Sequence, residues 1–368
     1  MFPRVVSYKP FLLDNQGKWL NSLQALRAIA FIGIVTYHCG ITPCGPWGVS
    51  VFFVLSGFVC YYRFRESESD VSLFSSFKFA LQRIAKLYPL HITMIILVII
   101  RESYERGTVS ASLFRLVADG LLVTSWIPDT FGFAPYNGVA WFLSTIFFSY
   151  FAFRYVVGIV NRIEKTRDAI FCSASILLLQ LCLTLLVASL PKSSEQLIIW
   201  FTYQFPLFRF GDFLIGCFVG RLYTLQEDDS VAEPNHNSVA EGLLATLIFF
   251  QLILYSLKLG ILGSETIRYT LLFVPTSALT VYLFAKRGGV FTKLLTNSLL
   301  VNIAKWSGSG FLIHQYVIYC VKTIIDGGGA WVSFSERVIV FGISLAITYF
   351  LSLLYDKTYS ALANPSSH

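Results

Sequence analysis

The sequence predicts an all-α polytopic membrane protein of about ten transmembrane helices, and three observations carry that prediction. Hydrophobic residues fill 55% of the 368 positions against 13% charged, with a mean hydropathy of +0.65, beyond what a water-soluble globule of this length sustains. Stretches of about 20 mostly apolar residues, the length that crosses ~30 Å of hydrocarbon, recur from residue 22 almost to residue 355. Five of the seven Trp (Trp47, Trp126, Trp141, Trp200 and Trp331) fall at or beyond the ends of those stretches, as an interfacial aromatic belt requires.

Taken in order, the expected spans are 22–39, 47–63, 87–100, 140–160, 169–190, 201–222, 239–257, 267–285, 299–325 and 332–355. The doubtful segment is Leu113 to Ile127, which is short and carries Arg115 and Asp119 early. Loop charge decides its treatment, because Lys and Arg prefer the cytoplasmic side. Leaving it out puts seventeen Lys and Arg on the side of the N-terminus and eight on the other. Counting it in would move the cluster Arg154 to Arg167 outside. Both termini are therefore expected in the cytoplasm, with residues 101–139 as an external or re-entrant excursion of a length that is usually functional.

The expected domains are a cytoplasmic segment 1–21, a transmembrane domain 22–355 and a cytoplasmic tail 356–368. The N-terminal segment has no apolar core followed by a small-residue cleavage site, so no cleaved signal peptide is read. The net charge of +7 is spread over short loops, which fits membrane orientation rather than nucleic acid. An acidic patch, Glu227 to Asp229, reads as solvated. Seven cysteines without a CxxC pair suggest neither a metal nor a redox site, and Cys39 with Cys44 is the only plausible disulfide.

Against this apolar background a few polar residues stand out. An arginine at mid-span costs roughly 2.5–3.5 kcal/mol, so it needs a partner, a wet cavity or an escape to the interface. Arg27 and His38 lie eleven residues apart in the first span, which at 100° per residue is about 20° from three whole turns and roughly 16 Å along the axis. They share one helix face, Arg27 in the inner half and His38 in the outer. Arg209 and Asp212, at i and i+3, can pair on one face. His314 lies deep in the ninth span beside Gln315. Each of these taken alone is also compatible with packing, snorkelling or a structural ion pair.

The run LRAIAFIGIVTYH followed by WGVSVFFVLSGF resembles the acyltransferase 3 family of bacterial membrane O-acyltransferases. The family's R-x10-H signature falls on Arg27 and His38, and its G-V-x-x-F-F-x-L-S-G-F element on Gly48, Val49, Phe52, Phe53, Leu55, Ser56, Gly57 and Phe58. RIAKLYPL at Arg83 to Leu90, WFLSTIFFSYF at Trp141 to Phe151, FRFGDFLIGCFVGRL at Phe208 to Leu222 and SGFLIHQYVI at Ser309 to Ile318 follow in family order. The resemblance thus covers nearly the whole chain. Two positions depart from it: Lys86 stands where many members carry a second Arg, and Ile146 and Phe147 stand where many carry glutamates. The latter form is similar to the branch of fucose 4-O-acetylases and surface-polysaccharide acetyltransferases.

The resemblance implies transfer of an acyl group, usually acetyl from acetyl-CoA, to a sugar hydroxyl of a cell-surface polysaccharide or its lipid-linked precursor in the bacterial inner membrane. It requires no metal. His38 and Arg27 become the catalytic candidates. An imidazole kept neutral can take the hydroxyl proton, or the same ring can carry the acyl group covalently. Arg83 and Lys86 at the inner mouth suit the donor's phosphates. Ser56, Trp141, Ser144, Arg209, Asp212 and His314 are the expected substrate- or donor-binding set, with Ser56 fitting a close helix contact better than a nucleophile. A secondary transporter or flippase of glycan precursors is the rival reading, and an inverted repeat would favour it; no second copy of the first-span motif is found. A structural or sensor protein would tolerate substitution of Arg27 and His38.

Overall fold

The computed structural model describes residues 21–66, 71–108, 111–128, 135–190, 194–226, 234–259, 267–331 and 333–363. The expected N-terminal segment up to residue 20, the patch Glu227 to Asp229 and the tail beyond residue 363 lie outside them. The described residues form α1 (Asn21–His38), α2 (Gly45–Phe64), α3 (Leu73–Ile84), α4 (Leu87–Arg106), α5 (Leu113–Gly120), α6 (Ala140–Asn161), α7 (Thr166–Ser189), α8 (Glu195–Ile199), α9 (Pro206–Leu225), α10 (Pro234–Leu257), α11 (Val274–Lys286), α12 (Val290–Leu295), α13 (Ser298–Asp326) and α14 (Phe334–Ala363). No strand occurs among them, and the protein is an all-α polytopic membrane protein.

Six helices (α2, α4, α6, α7, α10 and α14) are long and apolar enough to cross a bilayer on length and composition alone. Each remaining expected span also meets a helix: α1, α9, α11 and α13. Arg27, His38, Arg209, Asp212 and His314 all sit on these less apolar helices. By contrast α7 fully buries only Ala169, Gln180 and Thr184, leaving leucines such as Leu178 and Leu185 outward. A helix apolar all round with so little buried faces lipid.

Helix α2 lies at the heart of the bundle, packed against α9, α1 and α11, while α13 lies against α1, α4 and α14. Two glycines permit the tightest crossing. A methyl on Gly57 would collide with the Phe213 carbonyl oxygen, and one on Gly216 with that of Val54. Backbones this close need residues without a Cβ.

Several boundaries differ from the expected ones, for identifiable reasons. The span expected at 201–222 is broken: Trp200–Gln204 form a π turn and α9 begins at Pro206, because a proline offers no N–H to continue the ladder. The span expected from 267 begins only at Val274, preceded by turns over 267–273, where the Thr270 hydroxyl donates to the Thr202 carbonyl at 2.6 Å. Helix α4 runs past 100 to Arg106, supported by the i, i+4 ion pairs Arg101–Glu105 and Arg106–Glu102, and stops at Gly107 with φ +66°. Helix α14 continues beyond 355 to Ala363.

The segment Leu113 to Ile127 does not cross. Its helix α5 has 8 residues, about 12 Å at 1.5 Å per residue, and the chain folds back on the bundle. Tyr88 Oη donates to the Gly120 carbonyl at 2.8 Å, a His91 ring nitrogen lies 2.9 Å from the Asp119 carbonyl, and Asn137 Nδ2 donates to the Leu312 carbonyl at 2.9 Å. All seven cysteines, Cys39 and Cys44 included, are free.

Candidate active site

Helices α1 and α13 run parallel along one seam, and the seam gathers Arg27, His38 and His314. Near the start of α1 the Arg27 guanidinium lies against α13 at Gly308, where an added methyl would stand 3.0 Å from Nη2. At the far end of α1 the His38 ring faces His314, with centroids 5.2 Å apart and planes tilted by 54°. Arg27 and His38 therefore both face α13, as their spacing requires. Gly308 and His314 are six residues apart on α13, about 9 Å along its axis, while Arg27 and His38 are about 16 Å apart along α1.

The two histidines differ in surroundings. His38 is half-buried, whereas His314 is sealed. His314 Nδ1 lies 2.7 Å from the Phe311 carbonyl oxygen, while its Nε2 is buried without a hydrogen-bond partner. The rings of Phe31 and Phe311 pack on it at 6.1 and 5.7 Å.

At the Arg27 end a second polar group assembles from α1, α2, α3 and α6. Tyr150 lies near the Ser56 hydroxyl and the guanidinium groups of Arg83 and Arg27. The Arg83 guanidinium stands over the Phe64 ring at 4.6 Å and Phe79 at 5.5 Å, and Arg154 over Phe79 at 5.7 Å. Arg154 and Tyr150 are additions to the expected set. Their i, i+4 spacing on α6 put both on one face, but nothing in sequence told which neighbour that face meets. Lys86 is engaged elsewhere: it forms an ion pair with Asp356 at 2.9 Å, and the other Asp356 oxygen accepts the Ser309 hydroxyl at 2.8 Å.

Beyond His38 lies an aromatic group drawn from five elements. Tyr37 packs on His38 at 5.5 Å and its hydroxyl lies 3.3 Å from that of Tyr255. Tyr269 packs on both Tyr255 and Tyr203 at 5.9 Å, and Trp141 on Tyr203 at 4.8 Å. Arg268 donates to the Tyr269 hydroxyl at 2.8 Å and stands 5.0 Å over Tyr255. No motif marks these tyrosines, because they converge from distant parts of the chain.

The rest of the expected set divides. Arg209 and Asp212 form a fully buried ion pair at 2.9 Å; Arg209 also donates to Thr270 Oγ1 at 3.0 Å and stands 4.5 Å over Phe53, and Asp212 accepts from Gln180 at 2.8 Å. Ser144 is fully buried, and its hydroxyl is spent on the Leu122 carbonyl and on Ser125 Oγ, 2.6 Å away. It fastens Leu122 and Ser125 of the excursion to α6. In that excursion the Asp119 carboxyl is pushed up from 3.8 to about 6 by burial, against the opposing pull of the Tyr136 N–H, Thr124 and Arg115. No cluster of three or more metal-binding side chains occurs among the described residues.

Comparison with known families matches residues 20–355 to the family described as Acyltransferase domain. A curated relative, Acyltransferase MdmB of Streptomyces mycarofaciens, is 32% identical over 194 residues, covering 50% of this chain and 48% of that protein. The chain thus spans about half the length of that curated relative. No solved structure matches.

Proposed function

Because this chain belongs to the acyltransferase-domain family it matches across residues 20–355, we propose that it moves a short acyl group, acetyl in the first instance, from cytoplasmic acyl-CoA to a sugar hydroxyl. The acceptor is a cell-surface polysaccharide or its lipid-linked precursor, and the membrane is the bacterial inner membrane, with both chain termini in the cytoplasm. The observation that supports this reading is the single seam on which Arg27 and His38 both face α13, Arg27 at Gly308 and His38 at His314.

In this orientation Arg83, Arg154 and Arg27 form a basic approach from the cytoplasmic side, matched to the phosphates of a polyanionic donor. His38, half-open and near the outer end, faces the acceptor. Its neutral ring takes the proton of the sugar hydroxyl as that oxygen attacks the thioester carbonyl. The tetrahedral intermediate collapses with cleavage of the C–S bond, and the imidazolium returns the proton to the departing thiolate. Arg27 holds the donor in line. Tyr37, Tyr203, Tyr255 and Tyr269 supply ring faces and hydroxyls at the acceptor end, a chemistry suited to sugars.

Mass spectrometry of surface glycans from a deletion strain tests the reading: loss of one acyl mass from one sugar is expected. Unchanged glycans together with uptake of labelled glycan precursor into vesicles without acetyl-CoA consumption would instead favour transport.

A further inference from the structure

His314 is sealed from solvent, and its ring faces that of His38 across the seam. Its Nδ1 lies 2.7 Å from the Phe311 carbonyl. A carbonyl only accepts, so Nδ1 carries the hydrogen. No carboxylate is among the ring's packing partners Phe31, Phe311 and His38, and a buried charge without a counter-charge is costly. The ring is therefore neutral and Nε2 is a bare acceptor, sealed from solvent with nothing bonded to it. A buried orphan acceptor is an unfavourable state that invites a donor. Of the three ring partners, only His38 has an N–H to give.

We infer that His314 is a positioning residue for His38: in the reacting complex its Nε2 accepts the His38 ring N–H, leaving the other His38 nitrogen bare and turned to the acceptor hydroxyl. This rests on His38 being the proton acceptor. With centroids 5.2 Å apart the rings are close enough for such a bond after a small reorientation; it is not formed in the present structure, as is common for catalytic contacts that tighten only around substrate. No proton passes through His314. When His38 becomes the imidazolium, its N–H to Nε2 becomes a charge-assisted bond that stabilises it, the part a carboxylate plays beside the histidine of a serine hydrolase. The sealed ring orients and the half-open ring reacts.

The test uses the full chain in nanodiscs, labelled with 15N-histidine, together with transfer of radiolabelled acetyl from acetyl-CoA to cell-envelope glycan in membranes. NMR is expected to find His314 protonated at Nδ1 alone and His38 in a single tautomer. His314→Phe should mix the His38 tautomers and lower kcat about 100-fold with the KM for acetyl-CoA unchanged. His314→Gln, whose amide oxygen can accept the same N–H, should restore most of the rate. A proton on His314 Nε2, or a His314→Phe protein with wild-type kcat and one His38 tautomer, would overturn the inference; if that variant does not fold, the wild-type tautomers decide. Normal transfer in His38→Ala would instead remove the assignment of His38 as base while leaving the His314 tautomer as found.

Discussion

His38 and His314 bring their ring centroids within 5.2 Å of one another across the seam of α1 and α13, although 275 residues of chain lie between them. One ring is half-open and the other sealed. On the same face of α1, three turns away, the Arg27 guanidinium meets α13 again at Gly308.

Replacement of either seam residue on α1 should end transfer without ending insertion. His38→Ala is expected to lose at least about 100-fold in rate, the ordinary contribution of a general base, and Arg27→Ala a comparable factor. Membrane fractionation and acetyl transfer measured side by side check this; near-normal glycan acetylation in a His38→Ala strain would count decisively against the assignment.

Arg154 should act on donor affinity. Arg154→Ala is expected to raise the KM for acetyl-CoA about tenfold while kcat holds, since one phosphate-directed contact is worth about 1–2 kcal/mol. Initial rates over a range of acetyl-CoA give the result, and an unchanged KM would remove Arg154 from the donor path. Lys86→Ala, by contrast, should act through its Asp356 pair and alter stability more than KM.

The Arg209–Asp212 pair is fully buried, so losing one member strands the other. Asp212→Leu should destabilise by about 3–5 kcal/mol, while the double change Arg209→Met, Asp212→Leu should cost far less. Thermal unfolding in detergent separates the two. If the stable double variant still transfers acetyl, the pair is structural; if it folds and is inactive, the pair touches substrate.

Gly57→Ala or Gly216→Ala should force α2 and α9 apart, because each new methyl meets backbone rather than a movable side chain. A loss of about 3 kcal/mol is expected, at the upper end for overpacking, seen as a reduced yield of monodisperse protein. Gly158→Ala, with nothing within 4 Å, is the control.

The segment around Asp119, residues 111–127, should loosen as pH rises. The Asp119 carboxyl is held near 6 against an ordinary 3.8, so between those values the folded state binds more protons than the unfolded one. Its stability therefore falls with rising pH over that window, is fullest below about 4 and reaches its low plateau above about 6. Hydrogen exchange of residues 111–127, corrected for intrinsic rates, should show less protection at pH 7 than at pH 5. Asp119→Asn, which keeps an acceptor for the Tyr136 N–H, should abolish the difference.

The sequence by itself determined the class of fold, since apolar runs of bilayer length can satisfy their backbones in lipid only as helices. It also determined that Arg27 and His38 share a face, because helical periodicity is local and an eleven-residue interval returns to the same side. What the tertiary structure decided is which residues those faces meet. That His314 answers His38, that Arg154 joins Arg83 while Lys86 is taken by Asp356, and that four tyrosines converge beyond the seam all depend on contacts between distant helices. The pattern of one helix fixes the direction of its own side chains, but the partner across the gap is chosen by how the whole bundle packs: by where glycines such as Gly57 and Gly216 let backbones close, and by where Pro206 breaks a span in two.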